Sequence, residues 1–536
     1  MAVKLFQMKV GKNKIVLKFP QISNPSLSNA RKILANTFAQ TLGKIVVALL
    51  AVFTVKILTG FFGKSVYGKY VTIFEFLAFF GAAADLGLFT IAVREIPKHE
   101  SEKQKIFSNV LTLRTACTTL AMLLAVVLAF SIAKFAGTQI PQGVAIVALA
   151  TWLVILAGTF SIVLQTAMKM HLQSIALVAG KICSTIAIVA LAKFVHSGFT
   201  PAAFSQILWA AVAGALVTFL LTALFARRFA RLRFAFDPVL ARGIFMQALP
   251  FGLALILNTI YFRLDIVLFS FILPQSAGGT CLEKFCGDFE AGSYAVAVRI
   301  LEVLILIPVF FMNAVLPVLS KQIAGNLAKK IKRILRESFK FLFAFGLAAA
   351  IGLGVLARPV VQLIAHDEFL TDWQAGIFGS DLALSILVVP MFFTFLATFF
   401  AFALIAFGQQ VKLLWINSLA VAFNAISNLW VIKFFGLVGA ATTSAISEFL
   451  ILIMSALALR SVASFHFQVK DLLRISLSGI IMGIFAHLAF GLLANVTHEV
   501  VALFATICLA GILFPLSLLA MKVVDRQELA TVLGKS

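Results

Sequence analysis

The feature that most constrains this chain is a series of long apolar windows. Windows of 20 or more apolar residues recur from Asn36 to Met521 in a chain of 536 residues. Each is long enough to cross a hydrocarbon core of about 30 Å as a helix, and only helices and closed barrels satisfy their backbone groups there. The composition agrees, because only 12% of residues are charged, against about 25% in soluble domains. We therefore predict an all-α polytopic membrane protein with about 14 transmembrane helices.

The basic residues alternate between short loops in a way that predicts the orientation. Of the 44 Lys and Arg residues, seven lie within predicted spans and six in predicted outer loops, which leaves 31 in the inner segments. Short cytoplasmic loops are enriched in Lys and Arg. Both termini are therefore predicted to be cytoplasmic, and the net charge of +23 reflects topology and anionic lipid headgroups rather than nucleic-acid binding.

Two halves of the chain share a weak internal repeat. "FTVK" (Phe53 to Lys56) matches "FRLD" (Phe262 to Asp265), and "GKYVTIFEFL" (Gly68 to Leu77) matches "GSYAVAVRIL" (Gly292 to Leu301). Equal orientation of the halves predicts two six-helix lobes related by a pseudo-two-fold axis along the membrane normal. The predicted organisation is a basic cytoplasmic segment 1–35, an N-lobe 36–226, a basic linker 227–242, a C-lobe 243–460, two further helices in 461–521, and a cytoplasmic tail 522–536.

Charged residues inside the predicted spans are the candidates for function, because each is costly in a bilayer unless it is paired or faces a cavity. The repeat aligns Lys56 with Asp265 and Glu75 with Arg299, so the charges change sign between the lobes. Matched depths predict that Lys56 pairs with Glu75 and that Asp265 pairs with Arg299. Glu302, three residues after Arg299 on the same helix, is a competing partner for it.

Two basic residues have no acid at helical spacing. Arg263 and Asp265 point about 200° apart on one helix and cannot neutralise each other, while Lys181 lies about eight residues into its span. We therefore predict that Arg263 and Lys181 line a central cavity. The predicted spans hold seven bases and five acids (Glu75, Asp85, Asp265, Glu302 and Glu448), so this interior suits an anionic substrate. Lys44 and Arg299 join the candidate substrate-binding residues, although Lys44 lies near the inner face, where snorkelling explains it equally well.

No predicted outer loop is long enough to hold the catalytic groups of a membrane glycosyltransferase, so an enzyme is not expected, and neither is a cofactor. "HDEF" (His366 to Phe369) is the best external acidic cluster, and short polar loops of this kind are usually only solvated. Cys281 and Cys286, five residues apart in "CLEKFC", are predicted to form a disulfide on the outer, oxidising side. Two cysteines alone make a poor metal site, so no metal is predicted.

The sequence also resembles a known family. "GKSVYGKYVTIFEFLAFFGAAADLGLFTIAVREI" (Gly63 to Ile96), "RLDIVLFSFI" (Arg263 to Ile272) and "AGSYAVAVRILEVLILIPVFFMNAVLPVLSK" (Ala291 to Lys321) resemble polysaccharide flippases of the O-antigen type. These belong to the multidrug/oligosaccharidyl-lipid/polysaccharide exporter superfamily. The resemblance implies a flippase of the cell membrane that moves a polyprenyl-diphosphate-linked oligosaccharide to the outer leaflet by alternating access. It also implies contact with membrane lipids and with polysaccharide assembly machinery.

Three other functions remain open at this point. A cation-coupled multidrug exporter of the same superfamily is disfavoured because the first predicted helix carries Lys44 and Lys56, where one branch of those exporters has a carboxylate. A lipid II flippase shares the mechanism and differs mainly in substrate. A membrane glycosyltransferase is the least favoured, for want of loop capacity.

The predicted topology and disulfide can be tested together by thiol labelling. Cys281 and Cys286 should resist a membrane-impermeant maleimide in intact, unreduced cells and react after reduction, because both sulfurs are oxidised and face outwards. Labelling of both thiols without reductant contradicts the disulfide. Labelling only after lysis contradicts the topology.

Overall fold

A computed structural model describes residues 6–10, 13–17, 27–194, 200–231, 233–276, 281, 283–463 and 468–523. The helices of the N-terminal half are α1 (Leu27–Asp85), α2 (Leu88–Glu95), α3 (Lys103–Ser131), α4 (Ile140–Thr166), α5 (Met170–Phe194) and α6 (Pro201–Ala226). Those of the C-terminal half are α7 (Pro238–Ile272), α8 (Gly287–Ala324), α9 (Ala328–Val355), α10 (Ala357–Ile364), α11 (Ser380–Ala406) and α12 (Gln410–Arg460), followed by α13 (Val469–Ala494) and α14 (Glu499–Ala520).

The predicted helical membrane fold is confirmed. Eleven of the described helices are long and apolar enough to cross a membrane, while the count of fourteen crossings stays a prediction. One small departure lies in the N-terminal segment, where β1 (Phe6–Val10) and β2 (Asn13–Leu17) pair antiparallel with Phe6 opposite Leu17. Apolar residues alternate with polar ones in β1, which is the period of a strand rather than of a helix.

Two of the long helices are broken at a glycine. α1 has 59 residues and departs from helical geometry at Gly63, whose φ is 70°; α12 has 51 residues and does so at Gly436, whose φ is 53°. Positive φ is accessible to glycine at little cost. Each break therefore divides one long helix into two limbs, at the positions where the sequence predicts one span to end and the next to begin.

Each break is stabilised by a carboxylate from a distant element. Glu368 Oε2 accepts the backbone N–H of Lys64, at 3.3 Å, and Glu290 Oε2 accepts that of Leu437, at 2.5 Å. In both cases the donor is the residue directly after the glycine. Glu368, one of the two acids of "HDEF", therefore has a structural role at the break in α1.

The helices pack into two groups, one in each half of the chain, as the repeat predicts. α4, α5 and α6 pack together with α1 and α3, α11 packs against α8, α9 and α12, and α13 packs on α14 and α9. The two groups meet where α1 contacts α7 and α8. We keep the terms N-lobe for α1–α6 and C-lobe for α7–α12.

The lobes approach most closely at a pair of glycines that the repeat aligns with each other. A Cβ on Gly68 would lie 1.7 Å from the carbonyl oxygen of Asp288, and one on Gly292 would lie 2.5 Å from that of Lys64. Each glycine thus contacts the residue four positions before the other. This reciprocal contact is the arrangement expected about a two-fold axis.

Adding one methyl group at this contact should separate the lobes. We expect Gly68→Ala to lower stability by about 1–3 kcal/mol, the usual cost of overpacking, measured as thermal unfolding in detergent. Gly60→Ala is the matched control, because no heavy atom lies within 4 Å of a Cβ there, and it should be neutral or slightly stabilising. Equal stability of the two variants contradicts the close contact.

Candidate functional site

Four charged side chains form a network across the lobe interface. Arg263 Nη1 donates to both carboxylate oxygens of Glu75, at 2.7 and 2.5 Å. Arg299 Nη2 donates to Glu75 Oε1 at 2.9 Å, and Arg299 Nη1 donates to Glu302 Oε2 at 2.7 Å. The Nη2 of Arg263 lies 3.8 Å from Glu302 Oε1. Glu75, on the second limb of α1, therefore joins the N-lobe to two arginines of the C-lobe.

The members of this network differ in exposure. The side chain of Glu75 is 2% exposed, whereas those of Arg263 and Arg299 are 31% and 29% exposed. A buried carboxylate needs paired charges, and two guanidinium groups satisfy it. The arginines keep donors directed away from Glu75, since each guanidinium has five N–H groups. They can bind a second anion on their open side.

The two predicted ion pairs are wrong. Lys56 does not pair with Glu75, because its side chain is exposed while Arg263 and Arg299 occupy that carboxylate. Asp265 does not pair with Arg299. The prediction matched residues within each hairpin by depth, but the two-fold arrangement places the second limb of α1 against α7 and α8 of the other lobe. Arg263 accordingly has carboxylate partners, contrary to the prediction that it lacks them.

Asp265 lies in the interior of the C-lobe, two residues after Arg263 on α7. Its carboxylate accepts hydrogen bonds from Asn428 Nδ2 at 2.7 Å, Tyr294 OH at 2.8 Å and Ser444 Oγ at 2.9 Å. Asn428 also donates to Asn424 Oδ1, at 3.2 Å. Among the described residues no Lys or Arg lies within 4 Å of Asp265. This buried charge is held by neutral donors only.

The remaining predicted residues lie in different surroundings. Lys181 on α5 is half-buried. Lys44 is exposed on the first limb of α1. Asp85 pairs with Arg114, which also donates to Thr159 Oγ1 at 2.9 Å. Arg114 is 4% exposed, so it is a buried partner of Asp85 and does not snorkel.

A polar cavity of about 320 Å³ opens beside Arg263 within the C-lobe, between α7, α8, α11 and α12. Its polar walls include Tyr261, Asp265, Tyr294, Ser444 and Glu448. Tyr261 OH donates to Glu448 Oε1 at 2.8 Å. Neither tyrosine is among the residues predicted from the sequence. One signal was available, because the chain has 4 Tyr and 55 Phe, so that most aromatic rings inside the spans lack a hydroxyl group.

A second inter-lobe contact lies at the end that carries Gly63, which we call the disulfide end. The structure joins Cys281 and Cys286 in a disulfide, as predicted, in the loop before α8. Asp288, at the start of α8, accepts hydrogen bonds from Ser65 Oγ at 2.5 Å and from Ser276 N at 3.1 Å. The Nζ of Lys134, in the N-lobe, donates to Ile272 O at the end of α7, at 2.8 Å.

The lobes also touch near the other end of the α1 limb. A Cβ on Gly252 of α7 would lie 2.4 Å from the carbonyl carbon of Leu86, and Arg94 Nη2 donates to Gln247 Oε1 at 3.0 Å. Leu86 lies about 35 Å along the limb from Gly63, at 1.5 Å per residue. The lobes are therefore in contact near both ends of this limb, on either side of Glu75.

Comparison with solved structures places this fold among known membrane proteins. The structure is similar to the lipid II flippase MurJ in an inward closed conformation (TM-score 0.68, 16% identity, 90% of this chain and 98% of that chain). It is also similar to a multidrug resistance MATE family transporter of the MOP superfamily in an inward-facing conformation (0.58, 14%, 79% and 96%). The MATE transporter VcmN of Vibrio cholerae is a third match (0.54, 15%, 81% and 98%).

At the level of sequence, comparison with curated proteins gave no match. A family model described as "Polysaccharide biosynthesis protein" does match, over residues 33–322, which include α2 to α7, most of α1 and nearly all of α8. That match covers more than half of the 536 residues. This multi-pass membrane protein with the MurJ and MATE fold therefore belongs to the polysaccharide biosynthesis protein family.

Proposed function

We propose that this protein is a flippase that moves a polyprenyl-diphosphate-linked oligosaccharide from the cytoplasmic to the outer leaflet by alternating access. The observation that carries the proposal is the shared carboxylate of Glu75, which holds Arg263 and Arg299 at the lobe interface. Membership of the family and a fold shared with a lipid II flippase support it.

The diphosphate is the part of such a substrate that cannot cross hydrocarbon unaided. Arginine suits it, because the planar fork of donors matches phosphate oxygens bidentately. In the closed structure Glu75 occupies the position of that anion. When the lobes separate, Glu75 moves away with the N-lobe and leaves two arginines together on the C-lobe. Lys181, half-buried on α5 of the N-lobe, is the further basic residue that we propose to meet the substrate.

The replacement of Glu75 by the diphosphate couples substrate binding to separation of the lobes. With Glu75 in place, the interface is neutralised and closed. Without it, the two arginines keep only Glu302, which is 40% exposed, and their excess positive charge favours an anionic ligand. The oligosaccharide follows the diphosphate through the open interface, and the prenyl chain stays in lipid. The lobes close again after release, because Glu75 then returns to both arginines and neutralises that excess charge.

Arg263 should be necessary for transport. In proteoliposomes, we expect Arg263→Ala to reduce flipping of a fluorescent polyprenyl-diphosphate oligosaccharide by at least about tenfold, the effect of one charged hydrogen bond. Arg263→Lys should recover part of the activity, because it keeps the charge without the fork. Lys181→Ala should give a smaller loss. Arg460→Ala, which removes an exposed charge at the end of α12, is the control. Transport at the wild-type rate in both Arg263→Ala and Lys181→Ala contradicts the site.

A coupling role for Asp265 is a second proposal. Its carboxylate is buried among oxygen and amide groups with no base in contact, so a proton or a monovalent cation is the natural counter-charge. The proposal gives transport a source of energy, and it fits a fold shared with a multidrug transporter.

The coupling role predicts a separation between downhill and driven transport. We expect Asp265→Asn to keep flipping down a substrate gradient and to lose the stimulation that an imposed proton or sodium gradient gives to the wild type. The neutral amide takes up no proton and lacks the negative charge that balances a bound sodium ion, which explains the loss. Asp372→Asn, in an exposed loop, is the control. Undiminished stimulation by both gradients in Asp265→Asn refutes this role.

A further inference from the structure

The cavity of the C-lobe has a chemistry of its own. We propose that it binds the sugar residues next to the diphosphate and that its carboxylates select neutral or amino-bearing sugars over acidic ones. This inference rests on the proposed function, since it assumes that a diphosphate binds at Arg263. It concerns a different property, the choice among oligosaccharides.

The cavity lies beside the arginine that we propose to bind the diphosphate. Arg263 lines the cavity of about 320 Å³, a volume within the range of about 300–1,000 Å³ that ligand pockets occupy. A smaller cavity of about 140 Å³ continues from it and shares Tyr261, Thr394 and Glu448. In a sugar diphosphate the first sugar is bonded directly to the phosphate. A diphosphate at Arg263 therefore brings the first sugar to the mouth of this cavity.

The lining of this cavity combines hydroxyl groups with apolar surface. Tyr261, Tyr294, Thr394 and Ser444 supply hydroxyl groups, and Val298, Leu301 and Met391 supply apolar surface. Hydroxyl groups beside apolar and aromatic faces suit a sugar ring, which is polar at its edge and apolar on its faces. Two of the four tyrosines of the chain line this one cavity. A tyrosine adds to phenylalanine only the hydroxyl group, so the hydrogen bond is what the position requires.

An unpaired hydroxyl in the smaller cavity points to a ligand independently. Ser455 on α12 is buried, and its Oγ has no hydrogen-bond partner among the described residues. Ser455 lines the cavity together with Asn417 and Thr398. A buried polar atom without a partner is unfavourable. A second sugar hydroxyl reaching this position would satisfy it.

Two carboxylates of the cavity give it a preference among sugars. Glu448 and Asp265 are both 6% exposed and face the same cavity, where Arg263 is the one basic residue among the lining residues described and is held by Glu75. Carboxylates accept hydrogen bonds from sugar hydroxyl, amide and ammonium groups. The carboxylate of a uronic acid would instead add a like charge at low dielectric. The cavity is therefore complementary to neutral and amino sugars.

The test uses the full chain in proteoliposomes and fluorescent polyprenyl diphosphates that differ only in the first sugar: none, an N-acetylhexosamine, a free hexosamine or a hexuronic acid. We expect the wild type to flip the neutral and amino sugars at least about tenfold faster than the hexuronic acid. Glu448→Gln should remove most of this difference, and Glu448→Asp should retain it. Tyr261→Phe should slow the N-acetylhexosamine substrate and leave the bare diphosphate unchanged.

Glu499→Gln, which removes an exposed charge at the start of α14, controls for net charge. Equal rates for neutral and acidic sugars in the wild type overturn the inference and leave the flippase function standing. An equal loss for every substrate in Glu448→Gln, including the bare diphosphate, also overturns it, because the carboxylate is then needed for transport itself. A wild type that flips none of the substrates refutes the proposed function instead.

Discussion

The interaction on which the rest of the structure depends is the sharing of one buried carboxylate by two arginines of the opposite lobe. Glu75 is the sole N-lobe member of its network, so its hydrogen bonds to Arg263 and Arg299 exist only while the lobes are together. The glycine contact between Gly68 and Gly292 lies on the same limb of α1, toward its start. Close backbone approach and charge neutralisation thus act at one interface, and separating the lobes disrupts both.

Arg263 and Asp265 give α7 two kinds of chemistry. Arg263 lines the C-lobe cavity and also pairs with Glu75 of the other lobe. Asp265, two residues later, is more buried and accepts hydrogen bonds from neutral donors. An anionic group and an uncharged group of one ligand can therefore be held by a single helix, through groups of opposite sign.

The sequence predicted the large features of the fold, because they depend on local or statistical properties. Window length and composition predicted the helical membrane fold, and the aligned "GKY" and "GSY" segments predicted the two-fold relation of the lobes, although not the contact between Gly68 and Gly292. The ion pairs were not predictable in the same way. Lys56 and Glu75 have suitable depths and signs, but which of several bases reaches Glu75 depends on the rotation of three helices about their axes. Tyr261 and Tyr294 were not predicted as cavity residues, because a single hydroxyl group produces no periodic pattern in the sequence.

The carboxylate caps at the two helix breaks have a consequence for biosynthesis. The N–H of Lys64 donates to Glu368, which lies 304 residues later in the chain. The N–H of Leu437 donates to Glu290, which lies earlier in the chain and is synthesised first. The N–H of Lys64 therefore lacks Glu368 as its acceptor until the loop before α11 has been synthesised. Completion of the N-lobe thus depends on synthesis of the C-lobe.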